Sequence, residues 1–453
     1  MGGKIEGGSH PGWRTTLHTL LVLSLPTTIE QIMETLLQYV DTSMVGQLGE
    51  RATAAVSITT NITWLVNSVP GAIGTAILIL ISRALGAGDR EEIRRLSQQG
   101  LFLAVVFGLA LGLVSVALSP FIPEWMGAEQ AIRQEASRYF TIISVPMVFR
   151  SISTVMAAAL RAMQDTKTPM RIGLAANGLN IVLNYFLIYP AGLGVAGAAI
   201  ASAVSYTVSG ICMLAACRRS RLLSWRVKDF KIRTALLRKC AAVGLPVLGT
   251  SGVSCMGYVV FAGLVSGMGT TVFAAHSIAV TAETIFYVPG YGLRTAASTL
   301  VGSACGEQDT TKMRRTAWIS VLVTVCMMCV SGLVLYIGSV PLMRLFSPSA
   351  PVVTMGAEML RLVALSEPFF GLMVVLEGIF YGMGRTRYPF LVETIGMWGI
   401  RIFLTFLCVN VWGLGLRAVW YCMIADNVGK ALMLAVPFLR RYLHRPEEKR
   451  LTQ

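Results

Sequence analysis

Twelve long apolar runs leave this chain few ways to fold. Read between charged or Pro- and Gly-rich breaks, they cover about residues 17–45, 54–82, 96–119, 130–160, 170–189, 195–217, 236–265, 273–302, 316–340, 352–380, 388–410 and 415–439. A helix needs about 20 mostly apolar residues to cross a bilayer, and a spanning segment must satisfy its backbone polar groups internally. The pattern therefore predicts an all-α polytopic membrane protein with twelve transmembrane helices. Only 13% of the residues are charged while 54% are apolar, against about 25% charged in soluble domains.

The net charge of +15 could suggest a nucleic-acid partner, but the placement of the charge argues for a lipid bilayer and against nucleic acid. Lys and Arg gather in alternate loops: Arg83 to Arg95, Arg161 to Arg171, Arg218 to Lys239, Lys312 to Arg315, Arg385 to Arg387 and Arg440 to Arg450. Loops between them, such as Ser119 to Glu129 and Pro190 to Gly194, carry almost none. By the positive-inside rule the basic loops and both termini are expected in the cytoplasm, which implies a multi-pass protein of the plasma membrane. The nine cysteines lie mostly within spans, and the Cys326/Cys329 pair sits in an apolar helical run, so they read as packing residues rather than metal ligands. No histidine cluster, nucleophile elbow or phosphate loop points to an enzyme.

A shift of 220 residues brings the halves into register. Leu25-Pro26 meets Leu245-Pro246, Gly49 meets Gly269, Gly86 meets Gly306, Asp89 meets Asp309, and Pro169 meets Pro389. One register held over so much of each half reads as an internal duplication. An even number of spans separates the copies, so both halves should point the same way across the membrane, as two parallel-repeat six-helix bundles. The expected organisation is a tail at 1–16, an N-lobe at 17–217, a basic linker at 218–239, a C-lobe at 240–439 and a tail at 440–453. Within the linker, Leu222 to Val227 has the pattern of a short surface amphipathic helix. Pro26 and Pro246, in matching places of the two lobes, are candidate hinges, since proline removes a helical hydrogen bond.

The first run carries carboxylates where hydrocarbon tolerates few. Glu30, Glu34, Gln38 and Asp41 fall on one helical stripe. A charge at the bilayer centre costs roughly 2.5–3.5 kcal/mol on insertion scales, so the stripe must face a cavity or a partner. Arg150, in mid-span 4, needs an anion, for which Glu30 or Glu34 would serve. In the second half Asp426 and Lys430 are placed for an ion pair one turn apart. Glu393 and Arg401, about two turns apart, are placed to share a face with a partner between them. Glu283 and Glu367 are candidates to line a pathway for a small organic cation, which would gain from a carboxylate in a low dielectric. Tyr287, one turn beyond Glu283, is the best single aromatic candidate beside them.

Several motifs together carry a family resemblance. Val40-Asp41-Thr42 with Met44-Val45-Gly46 and Leu48-Gly49, then Gly86-Ala87-Gly88-Asp89, resembles the multidrug and toxin extrusion (MATE) transporters of the MOP flippase superfamily. Ala274-Ala275-His276-Ser277-Ile278, Pro289-Gly290-Tyr291-Gly292 and Leu300-Val301-Gly302 agree in the second half, as do the joins from Leu160 to Pro169 and from Gly382 to Pro389. The resemblance runs from about Leu17 to Leu439. It implies a V-shaped pair of bundles, monomeric and without an organic cofactor, that exports organic and often cationic compounds in exchange for inward Na+ or H+.

The resemblance also places Asn180, Asn184 and Ser202 beside Asp41, closest to the prokaryotic DinF-like pattern of a first-lobe cation site. Similar transporters usually hold an acid where this chain has Asn184. Glu34 is then the candidate to supply the missing proton or sodium acceptor, and Asp41 the coupling residue. One carboxylate, two amide carbonyls and a hydroxyl form a plausible oxygen set for Na+. In span 7 the repeat mates of Glu34 and Asp41 are Ser254 and Phe261, so coupling is expected to be concentrated in the first lobe. A lipid-linked precursor flippase of the same superfamily is the alternative; such proteins often line their cavity with several arginines, and here few lie within spans, Arg150, Arg294 and Arg401 among them. A channel suits paired, proline-kinked lobes less well.

Overall fold

A computed structural model describes residues 12–224 and 230–443, the side chains of residue 61 and residues 441–443 excepted. The expected tail before residue 12 and the end after 443 lie outside the described residues. The described residues form helices α1 (Trp13–Gly46), α2 (Glu50–Gly86), α3 (Arg90–Leu118), the short α4 (Ile122–Trp125), α5 (Gln130–Ser144), α6 (Met147–Ala162), α7 (Lys167–Ile188) and α8 (Gly194–Arg219). The second half follows with α9 (Thr234–Ser266), α10 (Thr270–Gly306), α11 (Thr310–Phe346), α12 (Ala350–Ala364), α13 (Glu367–Gly382), α14 (Arg387–Thr394), α15 (Phe403–Phe406) and α16 (Leu416–Leu443). Ten helical spans are long and apolar enough to cross a membrane singly, and the bent pairs α5/α6 and α12/α13 complete a set of twelve.

The two bends, of 49° and 54°, lie at equivalent places in spans 4 and 10. Pro146 precedes α6 and Pro368 opens α13, and neither can donate the backbone bond that would carry the helix on. The helices outrun several of the apolar runs because their ends are polar: α3 starts at Arg90, where the Asp89 side chain accepts from the N–H groups of Glu91 and Glu92 at 3.1 and 2.8 Å. Asp309 repeats that cap on Lys312 N–H at 2.8 Å. Span 11 winds into wide π-turns over Ile395–Ile402 and Leu407–Val411, which hydropathy does not reveal. In the linker, Leu222 and Leu223 lie in a turn with Leu223 buried in the N-lobe core. Trp225, Arg226 and Val227 of the anticipated amphipathic stretch lie outside the described residues.

The duplication is written into the backbone. Helices α2 and α10, α5 and α12, and α6 and α13 have bounds that differ by the same 220 residues. Gly49 and Gly269 share φ near +110° (110° and 113°), and the left-handed turns at Gly88 and Gln308 (72° and 58°), and at Gln164 and Gly384 (63° and 69°), swap glycine for glutamine. Pro26 and Pro246 sit inside α1 and α9, and each helix continues through its proline.

The lobes meet along two seams, α1 against α10 and α2 against α9. One seam holds an apolar cluster of Leu20 and Leu23 with Leu293, Ala296 and Leu300. At their basic ends α2 and α10 cross so closely that a Cβ on Gly86 would overlap the Ser303 carbonyl, and one on Gly306 the Arg83 carbonyl. These two contacts are repeat mates, so the crossing is reciprocal about the axis that relates the lobes. Gly306→Ala should lower the thermal midpoint of the purified protein, by a cost of about 1–3 kcal/mol for overpacking. Gly46→Ala, where nothing lies within 4 Å of the added carbon, should not. Equal midpoints for the two variants would contradict a tight crossing.

Candidate cation-coupling site

Asp41 lies near the end of α1, against the face of α7 that carries Asn180 and Asn184. Four-residue spacing puts both amides on one side of α7, and both are buried, 3% and 1% exposed. Asn184 Nδ2 donates to Asp41 Oδ1 at 2.6 Å and to Asn180 Oδ1 at 3.0 Å. Asn180 Nδ2 in turn lies 3.2 Å from Ser202 Oγ on α8. The Asn180 amide also fits turned over: its nitrogen then donates to Asp41 Oδ1 at 3.0 Å and its oxygen accepts from Ser202 Oγ and N at 3.2 and 3.3 Å. The four residues that the resemblance placed together are thus in one bonded chain across three helices.

The donor chemistry suits a small hard cation. Asn184 Oδ1 is buried with no hydrogen-bond partner, a costly state for an amide carbonyl. With the Asn184 amide turned about, an ion held beside Asp41 would meet that oxygen, the turnable Asn180 amide and the Ser202 hydroxyl, a set with one formal charge. A proton is also accommodated: a protonated Asp41 would turn from acceptor to donor, and a rotated Asn184 amide would offer the acceptor.

Other members of the stripe go elsewhere. Glu30 forms an ion pair with Arg161 Nη2 of α6 at 2.7 Å, so it does not serve Arg150. Glu34 is exposed and makes no bond to the Asp41 cluster among the described residues, although Arg150 and Arg161 stand near enough for their charges to act on it. Arg150 has its guanidinium over the Tyr206 ring, 4.3 Å from the centroid.

In the C-lobe, Glu283 and Glu367 are buried, 8% and 1% exposed, and close enough for their charges to interact. Both carboxylate oxygens of Glu367 lack a hydrogen-bond partner. Tyr287 packs with Phe370 and Tyr291, ring centroids 5.3 and 6.2 Å away. Six further C-lobe charges close into one ion pair and one four-membered cluster. Arg294 donates to Glu377 at 2.9 Å. Arg401 and Lys430 both reach Asp426 Oδ2, at 2.9 and 3.0 Å, while Lys430 also holds Glu393 at 2.9 Å. Glu393 and Arg401 therefore share a face with Asp426 and Lys430 between them, and the π-turns of span 11 bring them round to it. Ser254, the repeat mate of Glu34, donates to Glu393 at 2.5 Å. Asn427 completes the group by accepting from Arg401 at 3.2 Å.

Comparison with known proteins agrees with this architecture. The profile of the MatE family matches residues 26–186 and again 246–407, one match in each lobe. The chain is 27% identical over 436 residues to a probable multidrug resistance protein NorM of Thermotoga maritima, covering 93% of this chain and 91% of that one. It is 26% identical over 460 residues to the multidrug resistance protein MdtK of Edwardsiella ictaluri, covering 97% and 98%. Among solved structures, a MOP superfamily transporter from Pyrococcus furiosus superposes with a TM-score of 0.90 at 20% identity, covering 96% of this chain and 99% of that one. Another solved MATE transporter, described as outward-facing, gives 0.90 at 21% identity, covering 94% and 96%. Twelve spans in two repeated bundles, with a family match to each, place this chain in the MatE family of membrane transporters.

Proposed function

We propose that the protein is a secondary active antiporter that exports organic, largely cationic compounds in exchange for inward Na+ or H+, with Asp41 as the coupling residue. The observation that carries the reading is the Asp41–Asn184–Asn180–Ser202 chain, which holds a single carboxylate and a buried, unpartnered Asn184 carbonyl oxygen. Relatives named as multidrug resistance proteins support the substrate class. Arrival of the cation, transported as substrate, would draw the amide oxygens inward and shorten the links between α1, α7 and α8. Its departure would return Asn184 to its bond with Asp41. Because α1 also lies against α10, a shift of α1 would be felt at the seam between lobes, as alternating access requires. Glu34 is proposed as an auxiliary acceptor, Glu283, Tyr287 and Glu367 as lining of the organic cation's route, and Pro26 and Pro246 as the points where α1 and α9 bend.

The basic ends of the helices, where α2 and α10 cross, are assigned to the cytoplasm by the positive-inside rule; the described state is then closed on that side. The plasma membrane and a monomeric state complete the proposal. The flippase alternative is less well supported, since Arg294 and Arg401 are engaged by Glu377 and Asp426 rather than lining a cavity. Gradient-jump assays on proteoliposomes test the proposal: efflux of an organic monocation should follow an imposed sodium or pH gradient and stop with the matching ionophore. Efflux insensitive to both ionophores would overturn the antiporter reading.

A further inference from the structure

Span 10 carries an arginine on a face that lipid covers. Arg361 lies in α12, about three turns and roughly 16 Å inside the helix start at Ala350, and its side chain is exposed. One turn further in, Leu365 is 69% exposed. Helix α11, packed against α12, presents Ile337 at 71% exposure beside the half-exposed Tyr336. Leu333 and Val330 carry this open apolar stripe on along α11. In helices that cross a bilayer, such a stripe faces hydrocarbon.

The guanidinium is tied on its protein side alone. Its Nε donates to the buried Ser339 hydroxyl at 3.1 Å, and its Cζ lies over the Tyr336 ring, 6.0 Å from the centroid. No carboxylate pairs with Arg361 among the described residues; Glu358, one turn outward on α12, is engaged by Arg417 of α16. Arg344, two turns outward from Tyr336 on α11, is exposed, has no ion pair among the described residues and adds positive charge at the mouth of the same groove. Arginine stays charged, and a charge set among lipid chains is costly unless it reaches headgroups or finds an anion.

The internal duplication shows that the fold does not require this charge. In the N-lobe the places of Arg361 and Ser339 are held by Thr141 and Ser119, whose hydroxyls bond at 2.7 Å. A neutral pair therefore closes the same helix contact there. What the C-lobe adds is a planar, forked donor, the geometry that matches a phosphate, bordered by apolar side chains that match an acyl chain.

We propose that the groove between α11 and α12 is a binding site for an anionic phospholipid of the outer leaflet, its phosphodiester held by Arg361 and one acyl chain lying along Leu365 and Ile337. A soluble phosphate would leave the apolar stripe uncovered, so the lipid is the source of the anion. The leaflet follows from the assignment of the basic loops to the cytoplasm. The site needs only the spans and their orientation, and it stands or falls independently of the antiporter reading.

The test compares phosphatidylglycerol with phosphatidylcholine, each carrying the same diazirine-bearing acyl chain, at equal mole fraction in nanodiscs holding the purified full chain. After illumination and digestion, mass spectrometry gives the ratio of the two crosslinking yields on residues 330–345 and 358–369. One basic side chain facing anionic headgroups corresponds to about a 5-fold preference, so the wild type should favour phosphatidylglycerol about 5–10-fold on these segments. Arg361→Thr, which installs the residue of the N-lobe mate, should lower that ratio about 5-fold, and Arg361→Lys should keep part of it. Arg361→Gln carries the same readout if the threonine variant does not fold. An excess of inorganic phosphate should leave the ratio unchanged. A wild-type ratio near one overturns the proposal, as does a ratio unaltered by loss of the guanidinium. Loss of the preference on adding phosphate would show that a soluble anion fills the site, and overturns the proposal as well.

Discussion

Asp41→Asn is expected to abolish gradient-driven efflux, a loss on the order of 100-fold, while the protein still folds and inserts. Asparagine keeps the shape of the side chain, and its oxygen can still accept from Asn184 Nδ2, which donates to Asp41 at 2.6 Å in the native chain. What it removes is the negative charge on which the proposed coupling rests. A ligand can shift an equilibrium only by its differential affinity for the two states, and coupling free energies of about 1–3 kcal/mol correspond to about 5–150-fold. Transport rates in proteoliposomes, with reconstituted amounts matched, provide the measurement. Full transport by the variant would remove Asp41 from the mechanism. Asp41→Glu retains the charge but displaces it by a methylene, and should recover only part of the activity.

The second large effect concerns stability. Asp426 is fully buried and receives both Arg401 and Lys430. Removing its charge in Asp426→Asn would leave two buried cations facing Glu393 alone. Breaking one member of a buried ion cluster costs about 3–5 kcal/mol, mostly because the remaining charge is stranded. The expected result is a large fall in thermal midpoint and in the yield of monodisperse protein. The double variant Asp426→Asn with Lys430→Met restores one acid to one base, and should recover about 1–3 kcal/mol of the loss as coupling energy. A double variant no better than the single would mean that the cluster is not held by charge balance. Gly396 belongs to the same design, since a Cβ there would overlap Lys430 Cε and Asp426 Oδ1. The absence of a side chain is what lets the π-turn of span 11 come close to α16.

Much of the molecule was legible in the residues taken singly. The apolar runs marked twelve spans, and the offset of Gly49 to Gly269 and Asp89 to Asp309 reappears as matched φ angles and matched helix caps. The Asp426–Lys430 pair followed from one helical turn, and it is present at 3.0 Å. The resemblance that put Asn180, Asn184 and Ser202 beside Asp41 agrees with the bonded chain. Less legible was the fate of the other carboxylates. Glu30 and Glu34 were equally suitable partners for Arg150 on spacing alone, yet Glu30 bonds Arg161. Arg161 had been read only as part of a basic loop; its side chain instead turns back along α6 toward α1.

What the sequence determined by itself is everything carried by hydropathy, by short covalent spacing or by repetition: the spans, the parallel duplication, the caps, the pair one turn apart and the stripe on α1. These follow from local physics, because a segment's transfer free energy and the geometry of its own turn do not depend on its neighbours. Only the tertiary structure decided which charges are satisfied. Asp41 meets Asn184 143 residues away, Glu30 meets Arg161 131 away, and Ser254 meets Glu393 139 away. Each meeting is set by how separate helices rotate and cross, by the bends before α6 and α13, and by the wide turns of span 11. Packing is a property of the whole bundle, and so it was packing that separated the partnered carboxylates from Asp41, and that set Arg150 over the Tyr206 ring.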